Sequence, residues 1–258
     1  MGSVLAGLGR LSIGFVQATG EMVLLFARSV YWCRALGRSL RNVFRQMELI
    51  GVQTLPIASV MAFFVGLVLA LQTGYQLKKF GIESILGAIV GLSFAKELGP
   101  VLTGLLLAGR VGAGIAAEVG TMKVSEEIDA LTTLGINPIR YLAMPRVVAA
   151  TLMMPLLICY AYVIGFFAGG LMAYAYAGVQ PADYADSLFD ALSARELTDG
   201  LVKGLVFGAL VATVGCHQGF KTSGGAQGVG RATTRSVVIS FMLILAFDYV
   251  LTRVLLWV

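Results

Sequence analysis

The sequence predicts an all-α integral membrane protein, and composition is the first reason. Of its 258 residues, 58% are hydrophobic and 13% are charged, whereas an average soluble domain is about a quarter charged. The mean hydropathy is +0.86, and five apolar stretches have about the length that crosses a bilayer. Lipid must therefore be the main solvent. We expect one domain over residues 1–258, with an N-terminal interfacial amphipathic helix, about five transmembrane helices and a helix in a cytoplasmic loop.

Residues 4–32 are predicted to form the interfacial helix. Four polar residues interrupt this apolar stretch: Arg10, Gln17, Glu21 and Arg28. At about 100° per residue, all four fall within about 40° of one another on a helix. So narrow a polar stripe favours a helix lying in the plane of the membrane interface. The alternative is a true span whose stripe faces neighbouring helices.

The five predicted spans follow in order: 55–77, 84–109, 147–177, 201–218 and 236–257. Arg34, Arg38, Arg41 and Arg45 precede the first span and form a basic flank, which the positive-inside rule places in the cytoplasm. The basic connections 110–146 and 219–235 are expected on the same side. The acidic connection 178–200 is expected outside. Lys78 and Lys79 depart from this bias.

A further helix is predicted in the loop at 117–138, which is too short and too charged to span. Ser125 is a candidate cap before two glutamates, and Gly135 followed by Asn137-Pro138 is a strong stop signal. An acidic amphipathic helix held between two spans is typical of a segment that docks into a groove on a soluble partner. The alternative, a helix resting on the membrane, would set acidic residues beside anionic lipid.

Two adjacent charges, Lys96 and Glu97, lie in the middle of the second predicted span. Neighbouring helix positions point about 100° apart, so the two side chains should face different neighbours or border one polar cavity. Pro100 removes the backbone hydrogen bond to the carbonyl of residue 96 and so leaves an acceptor near the charges. Ionisable residues inside a membrane mark a transport pathway or relay by default. The alternative is a structural ion pair with Asp248 or Arg253.

Several classes of site are not predicted. GAGIAA at 112–117 matches a dinucleotide fingerprint but follows a helix instead of a strand, and Phe220 stands where a P-loop needs glycine. With one histidine, His217, and three scattered cysteines, the chain offers no catalytic set and no metal cluster. We expect neither enzyme activity nor a cofactor bound by this chain. The net charge of +5 flanks the spans, so nucleic acid is not an expected partner.

Two runs closely resemble the MlaE (YrbE) permease family: KELGPVLTGLLLAGRVGAGIAAEVGTMKVSEEIDALTTLGINPIRYLAMPR and RATTRSVVISFMLILAFDYVLT. The resemblance extends from about residue 45 to the end. It implies a homodimeric permease subunit of an ABC transporter, which moves phospholipids between the inner and outer membranes of Gram-negative bacteria and resides in the inner membrane. A separate ATPase, carrying ATP and Mg, would hold the loop helix. A periplasmic MCE-domain protein would form the conduit, and a small STAS-type accessory subunit is left open.

The resemblance also assigns residues. Lys96 and Glu97 match a basic–acidic pair at the lipid cavity, and Leu69 and Gln72 match cavity-lining positions of the first span. The residues matched to ATPase coupling are Glu118, Glu126, Glu127, Asp129, Leu131 and Leu134. Those matched to further intramembrane or cytoplasmic-side charges are Lys203, Arg231, Arg235 and Asp248. Two other functions are open from sequence: a non-transporting membrane scaffold and an ATP-independent secondary transporter, the second weakened because no inverted repeat is detected.

Overall fold

The computed structural model describes residues 2–257, and the regular elements of that part are helical. Residues 1 and 258, and the side chains of Arg10 and Arg38 in the predicted stripe and flank, lie outside the described part. The α-helices are α1 Gly2–Trp32, α2 Leu40–Ile50, α3 Leu55–Phe80, α4 Leu86–Ser93, α5 Gly99–Leu107, α6 Ala113–Val124, α7 Glu127–Thr133, α8 Met144–Met172, α9 Pro181–Ala191, α10 Ala194–Phe220 and α11 Gly225–Trp257. Shorter 3₁₀ turns are Cys33–Arg38, Val52–Thr54 and Glu83–Ile85, and π-helical turns are Phe94–Leu98, Ala108–Gly112, Ile139–Ala143 and Ala173–Ala177.

Five helical stretches of the described chain are long and apolar enough to cross a membrane. They are Leu40–Phe80, Glu83–Val124, Ile139–Ala177, Ala194–Phe220 and Gly225–Leu255. Each corresponds to one of the predicted spans, so the predicted fold class is confirmed. In the bundle, α8 lies between α3 and α10, while α10 also packs against α6 and α11.

The second span is longer than its predicted range of 84–109, because helix continues through α4, α5 and α6 to Val124. Pro100 does not stop it. Proline is tolerated in the first turn of a helix, and Pro100 occupies that position in α5, directly after the π-helical turn Phe94–Leu98. The following run is small and apolar and contains no further proline before Ser125.

Glycines let the helix backbones approach closely. A methyl group added at Gly66 of α3 would overlap the backbone carbonyl oxygen of Gly165 in α8, and one added at Gly208 of α10 would overlap that of Ala150. Lipid gives no hydrophobic drive for helices to associate, so such backbone contact is a main source of packing energy.

We expect Gly66→Ala to lower the free energy of unfolding by about 1–3 kcal/mol, because the backbone it meets has no rotamer by which to withdraw. The matched control is Gly109→Ala, whose added methyl meets no atom within 4 Å. Thermal unfolding in detergent measures both variants. Equal melting temperatures for the two would contradict the packing argument.

The predicted loop helix 117–138 is divided in the structure. Its first part completes α6, a turn follows at Ser125–Glu126, and α7 is a separate helix. Ser125 is not its cap, since Glu126 precedes α7 with a left-handed φ of 60°. The Ser125 hydroxyl instead donates to Thr121 O and contacts Glu127 Oε1. Gly135 does end the segment, with φ of 74°.

The C-terminal half of α1 lies against the end of the bundle that carries α7. Glu21 is within hydrogen-bond distance of His217 Nε2, at 3.1 Å, and also pairs with Lys221; both partners lie at the end of α10. Hydrogen bonds from Lys221 and His217 hold the pKa of the Glu21 carboxyl below its usual value. About 16 Å further along α1, Trp32 lies under the Arg140 guanidinium, beside the start of α8. Two contacts so far apart at one end of the bundle support a helix lying across that end.

Candidate functional site

Charged side chains from three spans meet around Lys203. Its ammonium nitrogen lies 3.0 Å from Glu97 Oε2 of the second span and 2.8 Å from Asp248 Oδ1 of α11. It also donates to the backbone carbonyl of Lys96 at 2.9 Å. The side chain of Lys203 is only 3% exposed. Three oxygens therefore compensate the buried cation, which is what burial of a charge requires.

The backbone of the second span supplies one of these oxygens. In the turn Phe94–Leu98 the N–H of Gly99 donates to Phe94 O, five residues back. Carbonyls that an α-helix would use are thereby left for side chains, and Pro100 has no N–H to donate. Ala95 O accepts from the Tyr162 hydroxyl at 2.7 Å, and Lys96 O accepts from Lys203. The backbone carbonyl of Lys96, which was expected to be an available acceptor beside the charges, therefore accepts a hydrogen bond from Lys203.

Lys96 and Glu97 face different partners, as their 100° offset predicts. Lys96 Nζ lies 3.6 Å from Glu196 Oε1 at the start of α10. Glu97 Oε1 accepts from the Thr252 hydroxyl of α11 at 3.1 Å. Despite these contacts the Lys96 side chain is 40% exposed and that of Glu97 is 43% exposed. One edge of the site is thus open in the single chain.

We call these five residues the charge cluster: Lys96, Glu97, Glu196, Lys203 and Asp248. Two lysines and three carboxylates give a formal net charge of −1. Lys203 is enclosed by its acceptors, so of the two lysines only Lys96 presents an ammonium group at the open edge. An approaching anion would meet Lys96 there, in competition with Glu196.

The structure does not join Leu69 and Gln72 to the charge cluster. Leu69 is half-buried and packs against hydrophobic residues on both sides of α3, whereas Gln72 is exposed. Within residues 2–257 no hydrogen bond or ion pair links Gln72 to Lys96 or Glu97. Helix α3 packs mainly against α8, and it meets the second span chiefly through α4, before the turn that carries the two charges. A shared cavity for these residues stays a prediction.

The residues that the resemblance matches to ATPase coupling have different surroundings in the structure. Asp129 pairs with Lys123 at 2.9 Å within the same segment, and the exposed Glu118 pairs at 2.8 Å with Arg146, which is buried. Leu131 packs against the core beside the buried Ile128. The other three residues are exposed, as Glu118 and Asp129 also are: Glu126, Glu127 and Leu134. An acidic and apolar surface is therefore free on α7.

Comparison with known proteins decides the family. The profile of Permease MlaE matches residues 43–254. The chain belongs to the MlaE permease family. It is 41% identical to the "Probable ABC transporter permease protein" of Rickettsia typhi, over 96% of this chain and 95% of that one. It is also 31% identical, over 97% of each chain, to the Haemophilus influenzae "Intermembrane phospholipid transport system permease protein MlaE".

A chloroplast relative extends the range of the family. "Protein TRIGALACTOSYLDIACYLGLYCEROL 1, chloroplastic" of Arabidopsis thaliana is 35% identical over 90% of this chain and 65% of its own length. The present MlaE-family chain is therefore a permease subunit of an ABC transporter and a multi-pass membrane protein.

Within this permease, Arg231 and Arg235 are both exposed near the start of α11, on the side of the bundle that carries α7. Neither is in the charge cluster. Sequence reasoning missed two members of the site, Glu196 and Thr252. Glu196 had a usable signal, because Ser193 followed three residues later by glutamate is a capping box and marks the start of α10. Thr252 carries no such signal.

Proposed function

We propose that this permease moves phospholipids between the inner and outer membranes of a Gram-negative bacterium, and that it resides in the inner membrane. A separate cytoplasmic ATPase supplies the energy, and a periplasmic MCE-domain protein receives or delivers the lipid. The observation that supports this most directly is the open edge of the charge cluster, where Lys96 and Glu97 stay about two-fifths exposed within a membrane span.

Acyl chains cannot solvate such groups, because ionised side chains inside a membrane require a polar partner or a hydrated cavity. The open edge must therefore face something other than lipid tails. A second copy of the chain around a central cavity meets this requirement. The last span supports that arrangement, since only 11% of its most apolar window is buried within the single chain.

A phospholipid head suits the open edge chemically. Its phosphate is an anion that can bind the accessible ammonium of Lys96, while its acyl chains stay in apolar surroundings. Lysine acts as a point charge without the two-pronged geometry of arginine, so it can release the phosphate more readily. Lys203 does not compete, because its acceptors enclose it.

The free surface of α7 supports coupling to the ATPase. A short amphipathic helix with exposed glutamates and Leu134 fits a groove on a soluble protein. The basic connections at this end of the bundle place it in the cytoplasm by the positive-inside rule. ATP and Mg then bind to the partner, and this subunit has a transporting role without catalysis.

The direct test is reconstitution of the permease with its ATPase, followed by measurement of ATP-dependent phospholipid transfer to acceptor vesicles. We expect Lys96→Gln to lower transfer about tenfold, the equivalent of one charge-assisted hydrogen bond to phosphate. Lys79→Gln is the matched control, because it removes an exposed lysine that lies over the Tyr75 ring and does not belong to the charge cluster. Absence of ATP-dependent transfer by the wild type would refute the function.

A further inference from the structure

The loop that carries α7 is closed at its base by an ion pair. Arg146 Nη2 of α8 lies 2.8 Å from Glu118 Oε2 of α6. Glu118 is near the end of the helix that precedes the loop, and Arg146 is near the start of the helix that follows it. The Arg146 side chain is 4% exposed and also donates from Nη1 to Leu142 O at 2.7 Å. Its Nε is buried and has no partner among the described residues.

The two partners depend on each other unequally. Glu118 is 54% exposed and water can solvate its carboxylate. Arg146 has the Glu118 carboxylate as its ion-pair partner, with one carbonyl as its other hydrogen-bond acceptor. A buried guanidinium needs that charge nearby, and its planar fork fixes the direction of the bond. The pair therefore holds the end of α6 in a defined orientation against the start of α8.

The segment between these residues is firmly attached on the α6 side. Ile128 of α7 is buried in the core cluster, and Lys123 of α6 forms two contacts with Asp129 of α7, at 2.9 and 3.0 Å. The end of α6 also packs on α10, since a methyl group at Gly219 of α10 would overlap the Val119 side chain of α6. A displacement of α7 must therefore move the end of α6.

We propose that the Glu118–Arg146 pair is the positioning contact that passes a displacement of α7 and α6 on to α8. This inference rests on the proposed function, in which an ATPase moves α7. It also changes the part assigned to Glu118, which acts inside the permease and not at the surface that the ATPase contacts. Without the pair, α6 could follow the ATPase while α8 stayed behind, so ATP would be hydrolysed with little lipid moved.

The test measures lipid transferred per ATP hydrolysed, in reconstituted complexes that contain equal amounts of bound ATPase. We expect Arg146→Met to lower this ratio about tenfold while ATPase binding stays at the wild-type level. Arg146→Lys should restore part of the ratio, because it keeps the charge but loses the fork. A purely structural role would lower the amount of assembled complex and leave the ratio unchanged.

A double variant in which both partners are neutral, called the neutral pair, tests whether misfolding explains the effect of Arg146→Met. Glu118→Gln combined with Arg146→Met leaves no unpaired charge inside the bundle, and it should fold while showing the same low ratio. The matched control is Lys221→Met, which breaks an exposed ion pair with Glu21 at the same end of the bundle and should change the ratio less than twofold.

The outcomes are distinguishable. If Arg146→Met and the neutral pair both keep the wild-type ratio, the positioning role is wrong while the proposed function stands. If the wild type shows no ATP-dependent lipid transfer, the proposed function fails and this inference fails with it.

Discussion

Replacement of Lys203 by methionine is expected to lower phospholipid transfer about tenfold or more and to lower the free energy of unfolding by about 3 kcal/mol. Methionine retains much of the volume of the lysine stem but leaves the carboxylates of Glu97 and Asp248 without the cation between them. The figure is at the low end for a broken buried pair, because Glu97 is partly exposed. Transfer between vesicles and denaturation in detergent measure the two effects.

A triple variant separates stability from transport. In Glu97→Gln, Lys203→Met and Asp248→Asn combined, no charge remains to be compensated, and neutral replacements of buried ion pairs often recover stability. We expect this variant to unfold near the wild-type midpoint and still to transfer lipid poorly. Recovery of transfer along with stability would mean that these charges only hold helices together and take no part in lipid transfer.

Reversal of charge on the α7 segment, by Glu126→Arg with Asp129→Arg, is expected to reduce the co-purified ATPase about tenfold or more. Opposed like charges at an interface cost several kcal/mol and act directly on binding. The side chains at both positions are exposed, and loss of the exposed Lys123–Asp129 ion pair should lower the free energy of unfolding by at most about 1 kcal/mol. Quantitative co-purification, with the permease amount held equal, gives the readout.

The matched control reverses two acidic residues at the opposite end of the molecule, Asp183→Arg with Asp186→Arg on α9. The same change of net charge then falls on a surface that the cytoplasmic ATPase cannot reach. We expect this variant to retain the ATPase. Wild-type stoichiometry in the α7 variant would show that docking occurs elsewhere.

The transmembrane helices could be predicted from sequence because one physical quantity dominates them. Each span must exceed a minimum apolar length, and hydropathy measures that directly. An ion-pair partner for the intramembrane charges was expected in Asp248 or Arg253, but the structure joins Glu97 and Asp248 through Lys203 and pairs Lys96 with Glu196. The stop at Gly135 follows from its left-handed φ.

Other features depended on tertiary geometry that no local pattern records. Ser125 has the right residue type for a helix cap, but its hydroxyl is bonded within the preceding helix. The contact of Glu118 with Arg146 joins two residues that the whole loop separates in sequence. A cavity shared by Leu69, Gln72 and the charges stays a prediction, because α3 meets the second span mainly through α4, before the turn that carries Lys96 and Glu97.

The π-helical turn at Phe94–Leu98 determines which face of the second span points towards α11. A turn closed five residues back contains one residue more than an α-helical turn, so everything beyond Leu98 is rotated by about 100° relative to an uninterrupted helix. The seam in which the Ser236 hydroxyl donates to Gly112 O at 3.1 Å depends on that phase. Deletion of one residue from this turn would rotate the rest of the span, from Gly99 to Val124, away from α11. Conservative exchanges at the same positions would leave its phase intact, so residue count constrains this stretch more tightly than residue type.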